Sequence, residues 1–134
     1  MSRRGSGSLS VMSRRTDVVE TYMDGFRRGD HEAILATLTD DVVWEIHGHR
    51  RLEGKEAFDG EIENDAFEGH PELTVRAYLE DGDVVVMPHT GLGHFKGGGE
   101  FRFRACDLFT FRGERICQVE SYVVPEAAFD GIAD

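Results

Sequence analysis

Hydrophobic and polar residues alternate most regularly between Phe101 and Phe111, where the sequence reads FRFRACDLFTF. Successive side chains of a strand point to opposite faces, so this segment predicts a strand that is buried on one face only. The buried face carries Phe101, Phe103, Ala105, Phe109 and Phe111. Asp107 falls on the same face, where burial disfavours the charged form of an acid.

Two helices are predicted near the start of the chain by hydrophobic residues spaced three and four apart. The first begins at Thr16, which can cap it, and ends at Gly29. Its apolar stripe consists of Val18, Val19, Tyr22, Met23 and Phe26. Asp30 caps a shorter second helix that carries Ile34, Leu35 and Leu38. Because a Gly-Asp turn joins the two helices, we expect them to pack as a hairpin.

Strand patterns dominate the rest of the chain. Residues 42–47 predict a short strand, residues 48–54 a loop, and residues 55–63 a third helix that presents Phe58 and Ile62. Residues 64–72 are acidic and predict either a solvated connection or a lid. The Gly-rich turns that follow separate four more predicted strands, at residues 73–79, 83–93, 100–112 and 115–124.

The order of these elements predicts the fold class. Two helices, a strand, a helix and then four strands are typical of an α+β fold, in which a curved antiparallel sheet wraps around the N-terminal helices. With 134 residues, 40% of them hydrophobic, the chain forms one core. We therefore expect a single domain at residues 16–134, preceded by a disordered basic tail at residues 1–15.

The charge of the chain argues against nucleic acid and membrane as partners. The formal net charge is −11, and residues 1–15 contribute four arginines and no acid, so residues 16–134 carry −15. Such a field repels nucleic-acid phosphates and anionic lipid. The sequence also lacks a membrane-spanning run and the apolar stretch of a signal peptide. We expect a cytoplasmic protein whose two cysteines, Cys106 and Cys117, are free thiols.

Two segments carry a resemblance to a known family: VVETYMDGFRRGDHEAILATLTDDVVWEIHG at residues 18–48 and FTFRGERICQVESY at residues 109–122. Together with the order of elements they resemble the nuclear transport factor 2-like superfamily, and most of all its SnoaL-like and ketosteroid isomerase branch. The resemblance extends over residues 16–124. It implies a cone-shaped barrel, open at one end, whose pocket takes a small hydrophobic molecule. It implies no organic cofactor, and it implies a homodimer.

The resemblance also implies roles for individual residues. In the ketosteroid isomerases a helix tyrosine and a protonated aspartic acid donate hydrogen bonds to a developing enolate, and a second aspartate moves the proton. These positions fall on Tyr22, Asp107 and Ile46 respectively. Isoleucine cannot take a proton, so steroid isomerase chemistry of the family type lacks its base here. Tyr22 and Asp107 keep two interpretations, an oxyanion-binding pair or a buried structural hydrogen bond.

His89 is the candidate for a substitute base. A strand register that places Val85 and Met87 inside also places His89 inside, and imidazole titrates near neutral pH. The alternative is a histidine at the core edge that bonds a backbone carbonyl. The side chains predicted to shape the cavity are Phe26, Trp44, Ile46, Phe58, Met87, Phe103 and Phe109.

Metal and epoxide chemistry have weaker support in the sequence. His47, His49 and Glu53 form an HxHxxxE pattern that is similar to the first metal motif of the cupins. Two histidines at i and i+2 share a strand face and can bind a divalent metal. Cupins do not open with a helix hairpin, so a cupin-like metal protein is the least favoured functional alternative, and we assign no residue to a metal. Epoxide hydrolases of the superfamily need an Arg-x-Asp arrangement at Asp107, and position 105 is alanine.

The leading functional hypothesis is a SnoaL-like protein that binds a small hydrophobic molecule with a carbonyl group. It would promote enolate-type isomerisation, cyclisation or dehydration, with Tyr22 and Asp107 polarising the oxygen and His89 carrying the proton. The alternative is a non-catalytic ligand-binding or homodimeric assembly domain. In that case the outer sheet face around Cys106 and Leu108 would form the dimer contact.

Overall fold

The computed structural model describes residues 14–63 and 65–126, which form three helices and seven strands. The helices are α1 (Arg14–Arg28), α2 (His31–Leu35) and α3 (Lys55–Ile62). The strands are β1 (Leu38–Ile46), β2 (Arg50–Glu53), β3 (Phe67–Val75), β4 (Leu79–Asp81), β5 (Val84–Phe95), β6 (Glu100–Arg112) and β7 (Arg115–Pro125). None of these helices is long and apolar enough to cross a membrane.

Helix α1 begins two residues before the predicted cap at Thr16. Arg14 forms an ion pair with Glu114 at 2.7 Å, and Arg15 forms one with Asp83 at 2.9 Å. These contacts with the turns at the ends of β7 and β5 extend the helix backwards. The last two residues of the predicted tail are therefore helical, and residues 1–13 of that prediction lie outside the described residues.

Helix α2 packs closely on α1, as the Gly-Asp turn predicts. The Asp30 side chain caps α2 by accepting a hydrogen bond from the backbone N–H of Ala33 at 3.0 Å. A Cβ at Gly25 of α1 would lie 2.6 Å from Cγ1 of Ile34, so the approach of the helices depends on glycine at this position. Leu38, predicted in α2, is instead the first residue of β1.

The seven strands form one curved, unclosed sheet in the order β2-β1-β7-β6-β5-β3, and β4 pairs with β5 beside this path. The predicted α+β fold is confirmed. The sheet is mixed rather than wholly antiparallel, because β1 runs parallel to β7 while the other neighbours are antiparallel. Strands β1 and β7 are far apart in sequence, so their relative direction is set by tertiary packing.

Two predicted loops contain strands. The predicted loop at residues 48–54 includes β2, which pairs with β1, and the predicted acidic loop at residues 64–72 includes the start of β3, which pairs with β5. Residues 67–72 therefore belong to a strand and not to a loop, while a lid role for them stays a prediction. Local polarity predicts a loop in both places, and pairing with a distant strand overrides it.

The core lies between the concave face of the sheet and the three helices. Tyr22 is at its centre, with ring centroids 5.0 Å from Phe109 and 6.2 Å from Phe58. Met87 and Val119 are fully buried in the same cluster. These side chains fill one end of the curved sheet, and a cavity lies towards its other end.

Candidate functional site

The open end of the curved sheet holds a cavity of about 650 Å³. It is bounded by the C-terminal ends of α1 and α3, by β1 and β3, and by the ends of β5, β6 and β7 that lie farthest from the core. Five aromatic side chains of the described residues line it: Phe26, Trp44, Phe67, Phe101 and Phe103. A volume and lining of this kind suit a small hydrophobic molecule.

Neighbouring rings hold the aromatic walls in place. Trp44 stacks on the buried ring of Phe58 with centroids 4.5 Å apart, and Phe26 meets Trp44 edge-on at 6.1 Å. Phe103 lies directly over Gly91 of β5, where an added Cβ would overlap its ring. The walls are therefore preformed, and glycine at position 91 leaves the space that Phe103 occupies.

The residues predicted to shape the cavity divide into two groups. Phe26, Trp44 and Phe103 line the cavity. Phe58, Met87 and Phe109 do not, because all three are fully buried in the core. Ile46, at the end of β1, is half-buried and also lies outside the lining. Phe67 and Phe101 line the cavity although the sequence did not single out either as a wall; both belong to a chain of ring contacts that also includes Phe95.

The three residues predicted to be catalytic lie deeper than the cavity. Tyr22, His89 and Asp107 are 1%, 6% and 7% exposed, and none of them lines the cavity. Asp107 pairs with Met87 and His89 pairs with Ala105, so the acid and the imidazole are diagonal neighbours on the inner face of the sheet. Burial raises the pKa of Tyr22 well above its usual value, and the nearby charge of Asp107 adds to the effect.

Asp107 retains its proton far more readily than an ordinary aspartic acid. Burial raises its pKa from 3.8 to about 7, and a hydrogen bond from Ser121 lowers the pKa in part. Ser121 is 4% exposed and lies directly opposite Asp107 in the β6–β7 pair. At neutral pH the carboxyl group is therefore present in both protonation states, as a proton donor and as a base.

A chain of hydrogen bonds joins this acid to the cavity wall. The indole Nε1–H of Trp44 donates to Oγ of Ser121 at 2.9 Å, and the Ser121 hydroxyl is bonded to Asp107. Trp44 itself lines the cavity. No local pattern in the sequence singles out Ser121. The hairpin turn at Gly113 predicts the pairing of β6 with β7, but it does not predict the irregularity that sets the register.

The buried position of His89 favours its neutral form. Burial lowers its pKa, and the imidazole Nδ1 lies 3.3 Å from the backbone oxygen of Met87. A donor at Nδ1 suits that carbonyl, which leaves Nε2 free of a proton. This contact agrees with the alternative interpretation of His89, a histidine at the core edge that bonds a backbone carbonyl. It also favours the tautomer that a base requires, with Nε2 unprotonated. The Phe103 ring meets the His89 ring edge-on at 6.1 Å and lies on its cavity side.

The HxHxxxE pattern does not converge on one point. His47 stacks on Tyr122 with ring centroids 4.4 Å apart and contacts Glu120 at 3.1 Å, whereas Glu53 pairs with Arg51 at 3.0 Å. Across residues 14–63 and 65–126, no three His, Cys, Asp or Glu side chains are arranged to hold a metal ion.

Comparison with known proteins agrees with this architecture. Residues 19–119 match the SnoaL-like domain. The chain belongs to the SnoaL-like domain family. This confirms the resemblance of the two quoted segments to the SnoaL-like branch of the nuclear transport factor 2-like superfamily. No curated protein matches the chain in sequence.

Solved structures that are similar to this SnoaL-like domain share its fold at low identity. A Burkholderia pseudomallei NTF2-like protein of unknown function is 18% identical, with a TM-score of 0.80, covering 92% of this chain and 100% of that one. A Catenulispora acidiphila protein with a ketosteroid isomerase-like fold, in complex with trimethylamine, is 22% identical at a TM-score of 0.72, covering 79% and 84%. A Mycobacterium tuberculosis protein in complex with estradiol-17beta-hemisuccinate is 19% identical at 0.71, covering 82% and 93%.

Proposed function

We propose that this SnoaL-like protein binds a small hydrophobic molecule with a carbonyl group in the aromatic cavity. The observation that carries the proposal is the preformed cavity of about 650 Å³ with five aromatic side chains on its walls. Two proteins of similar fold were solved with small molecules, trimethylamine in one and estradiol-17beta-hemisuccinate in the other. The Trp44–Ser121–Asp107 chain supplies polar groups behind one wall, towards which a carbonyl group would be oriented.

Trp44 provides a direct assay, because it is the only tryptophan of the chain and lines the cavity. Titration with 4-phenylbutan-2-one, a hydrophobic ketone, should quench or shift its fluorescence in a saturable way. Val123→Phe should weaken this binding at least tenfold, because Val123 lines the cavity and a larger ring would occupy it. The matched control is Val124→Phe, since Val124 is the next residue, is 46% exposed and is outside the lining.

The comparison of the two valine variants decides the proposal. Equal affinity of Val123→Phe and wild type, or equal loss in both variants, would place the ketone outside the cavity and refute the proposal. Circular dichroism of each variant controls for folding.

Enolate-type proton transfer is the second candidate function, favoured by the position of Asp107 beside Tyr22 with a pKa of about 7. In this scheme Tyr22 and protonated Asp107 donate hydrogen bonds to the carbonyl oxygen, and the free Nε2 of His89 takes a proton from the adjacent carbon. The ligand must first displace the Phe103 ring, which lies between the cavity and His89.

Proton exchange tests the second candidate without knowledge of the natural substrate. In D₂O the protein should catalyse exchange of the protons next to the carbonyl of 4-phenylbutan-2-one, followed by proton NMR. His89→Ala and Asp107→Asn should each reduce the exchange rate at least tenfold, whereas Val124→Phe should leave it unchanged. If wild type binds the ketone but the protons exchange only at the uncatalysed rate, the proton-transfer proposal is refuted and the protein is a ligand-binding protein without this chemistry.

A homodimeric assembly is the third candidate, and the outer face of β7 favours it. Tyr122 and Val124 are 45% and 46% exposed there, and an exposed apolar patch commonly marks a contact surface. Light scattering should give twice the chain mass for wild type and a monomer for Tyr122→Glu. A wild-type monomer at all concentrations would contradict the assembly.

A further inference from the structure

The charged side chains around the cavity are strongly unequal in sign. Within the described residues the lining includes four carboxylates and one lysine: Glu61, Glu63, Asp65, Glu68 and Lys96. Two histidines, His70 and His94, complete the titratable groups of the lining. The aromatic residues of the lining are half-buried, whereas Glu63, Asp65 and Glu68 are exposed. A ligand that enters therefore meets negative charge first and the apolar interior second.

Two of the carboxylates lie at a position where their negative charge destabilises the helix that carries them. Glu61 and Glu63 lie at the C-terminal end of α3, the negative end of the helix dipole, and the last turn of α3 has no basic residue. Glu61 lies 3.1 Å from Arg50, and Glu63 lies 3.5 Å from His31. These contacts offset the repulsion between the carboxylates and the helix end only in part. A cation bound at the cavity mouth would relieve the remaining repulsion.

The other two carboxylates are available to a ligand. Asp65 and Glu68 are exposed, and neither has an ion-pair partner within residues 14–63 and 65–126. Glu68 lies near the start of β3, directly opposite His94 of β5. Carboxylates without an ion-pair partner in the protein attract a cation, with a strength that water and salt reduce at the surface.

The walls themselves also favour positive charge. The faces of aromatic rings attract cations, and tryptophan does so most strongly. Trp44, Phe26 and Phe103 are close enough to the α3 carboxylates to line one cavity with them. Rings and carboxylates around one space are complementary to a molecule that is hydrophobic and carries a cationic nitrogen.

We propose that the ligand of this cavity is a hydrophobic amine, whose apolar body packs on the aromatic walls and whose ammonium group binds among the carboxylates of the mouth. The inference rests on the proposed function, because it assumes that the cavity binds a small hydrophobic molecule, and it adds the charge of that molecule. The carbonyl group and the ammonium group would occupy opposite ends of the ligand, the inner end and the mouth.

The test compares ligands with one carbon skeleton and different charge. 4-Phenylbutylamine is cationic, 4-phenylbutan-1-ol is neutral and 4-phenylbutyrate is anionic near neutral pH, and each binding constant follows from Trp44 fluorescence. Exposed charge pairs contribute modestly, so the amine should bind about fivefold more tightly than the alcohol, and the butyrate should bind most weakly. Salt at about 0.5 M should reduce the advantage of the amine, because exposed charges are screened.

A charge-neutral variant links the preference to the mouth. The double substitution Asp65→Asn with Glu68→Gln should reduce the ratio of amine to alcohol affinity about threefold and leave the alcohol affinity unchanged. The matched control removes two charges from positions outside the lining, Glu56→Gln on α3 with Asp81→Asn on β4, and should keep the wild-type ratio.

The possible results distinguish failure of the amine inference from failure of the proposed function. If the ketone and the alcohol bind as tightly as the amine, or if the butyrate binds most tightly through Lys96, the amine proposal is overturned and the hydrophobic cavity stands. If both double variants lower the ratio equally, the preference comes from the net charge of the chain and the mouth has no specific role. If none of the probes, including the ketone, changes Trp44 fluorescence, the proposed function fails together with the amine inference.

Discussion

Replacement of Asp107 by asparagine should make the protein more stable at high pH. Asp107 is 7% exposed, and its pKa is 3.8 in an ordinary setting and about 7 in the folded protein. The folded state therefore holds the proton more tightly than the unfolded chain does. This contribution to stability is fully present below pH 3.8 and is lost as the pH rises to about 7. Asparagine has no such proton, and its side-chain oxygen can still accept the hydrogen bond from Ser121.

The size of the effect follows from the difference between the two pKa values. About 3 pH units at about 1.4 kcal/mol each correspond to about 4 kcal/mol, lost in full above pH 7. About 2 kcal/mol of this falls between pH 5.5 and pH 8. Over that range the free energy of unfolding of Asp107→Asn should rise by about 2 kcal/mol relative to wild type, a large fraction of the 5 to 15 kcal/mol typical of whole domains.

Urea denaturation at several pH values measures this difference, and carboxyl-carbon NMR measures the titration of Asp107 directly. Asp81→Asn, at an exposed position on β4, controls for the removal of one charge. A difference between Asp107→Asn and wild type that stays constant from pH 5.5 to pH 8 would refute the reasoning. The carboxyl group would then be ionised and partnered, and the proton-donor role proposed for Asp107 would be lost.

Three further substitutions test the contacts around the site. Ser121→Ala should raise the pKa of Asp107 further, by about one unit, because a hydrogen bond that favours the carboxylate is removed; NMR titration would show it, and an unchanged or lower value would contradict the bond. Gly91→Ala should weaken ketone binding, because the added Cβ displaces the Phe103 ring into the cavity; unchanged Trp44 titrations would argue otherwise. Gly25→Ala should destabilise the protein by about 1 kcal/mol despite the better helix propensity of alanine, since its Cβ would lie 2.6 Å from Ile34; a urea midpoint above wild type would contradict this.

Much of the fold follows from local patterns. The alternation at residues 100–112 predicts β6 with its observed bounds, and the helix pattern at residues 55–63 predicts α3 to within one residue. Strand β2 and the first part of β3, residues 67–72, were missed because their residues are largely polar and exposed. The strand predicted at residues 73–79 overlaps β3 only at residues 73–75 and β4 only at Leu79, because residues 76–78 are not in a strand. The parallel pairing of β1 with β7 has no local signal either.

The candidate site was also predicted only in part from the sequence. Hydrophobic periodicity predicts that Tyr22, His89 and Asp107 point inward, and all three are buried. It cannot separate a ring that lines a cavity from a ring that fills the core, because both are apolar and inward-facing. Phe103 and Phe109 lie on the same face of one strand, yet only Phe103 lines the cavity, since the helices cover Phe109 and leave the other end of the sheet open.

The position of Asp107 on the buried face of a strand follows from the sequence alone, because the two-residue repeat of side-chain direction is a local property of the backbone. The residue that lies opposite Asp107 depends instead on how the strands pair in the folded protein. If the pairing of Phe111 with Ile116 continued without a shift, Glu120 would lie opposite Asp107. The register irregularity between Thr110 and Phe111 moves the partner by one residue and places Ser121 there instead, within reach of Trp44. Register depends on packing across the whole sheet, and this packing joins the buried acid to the wall of the cavity.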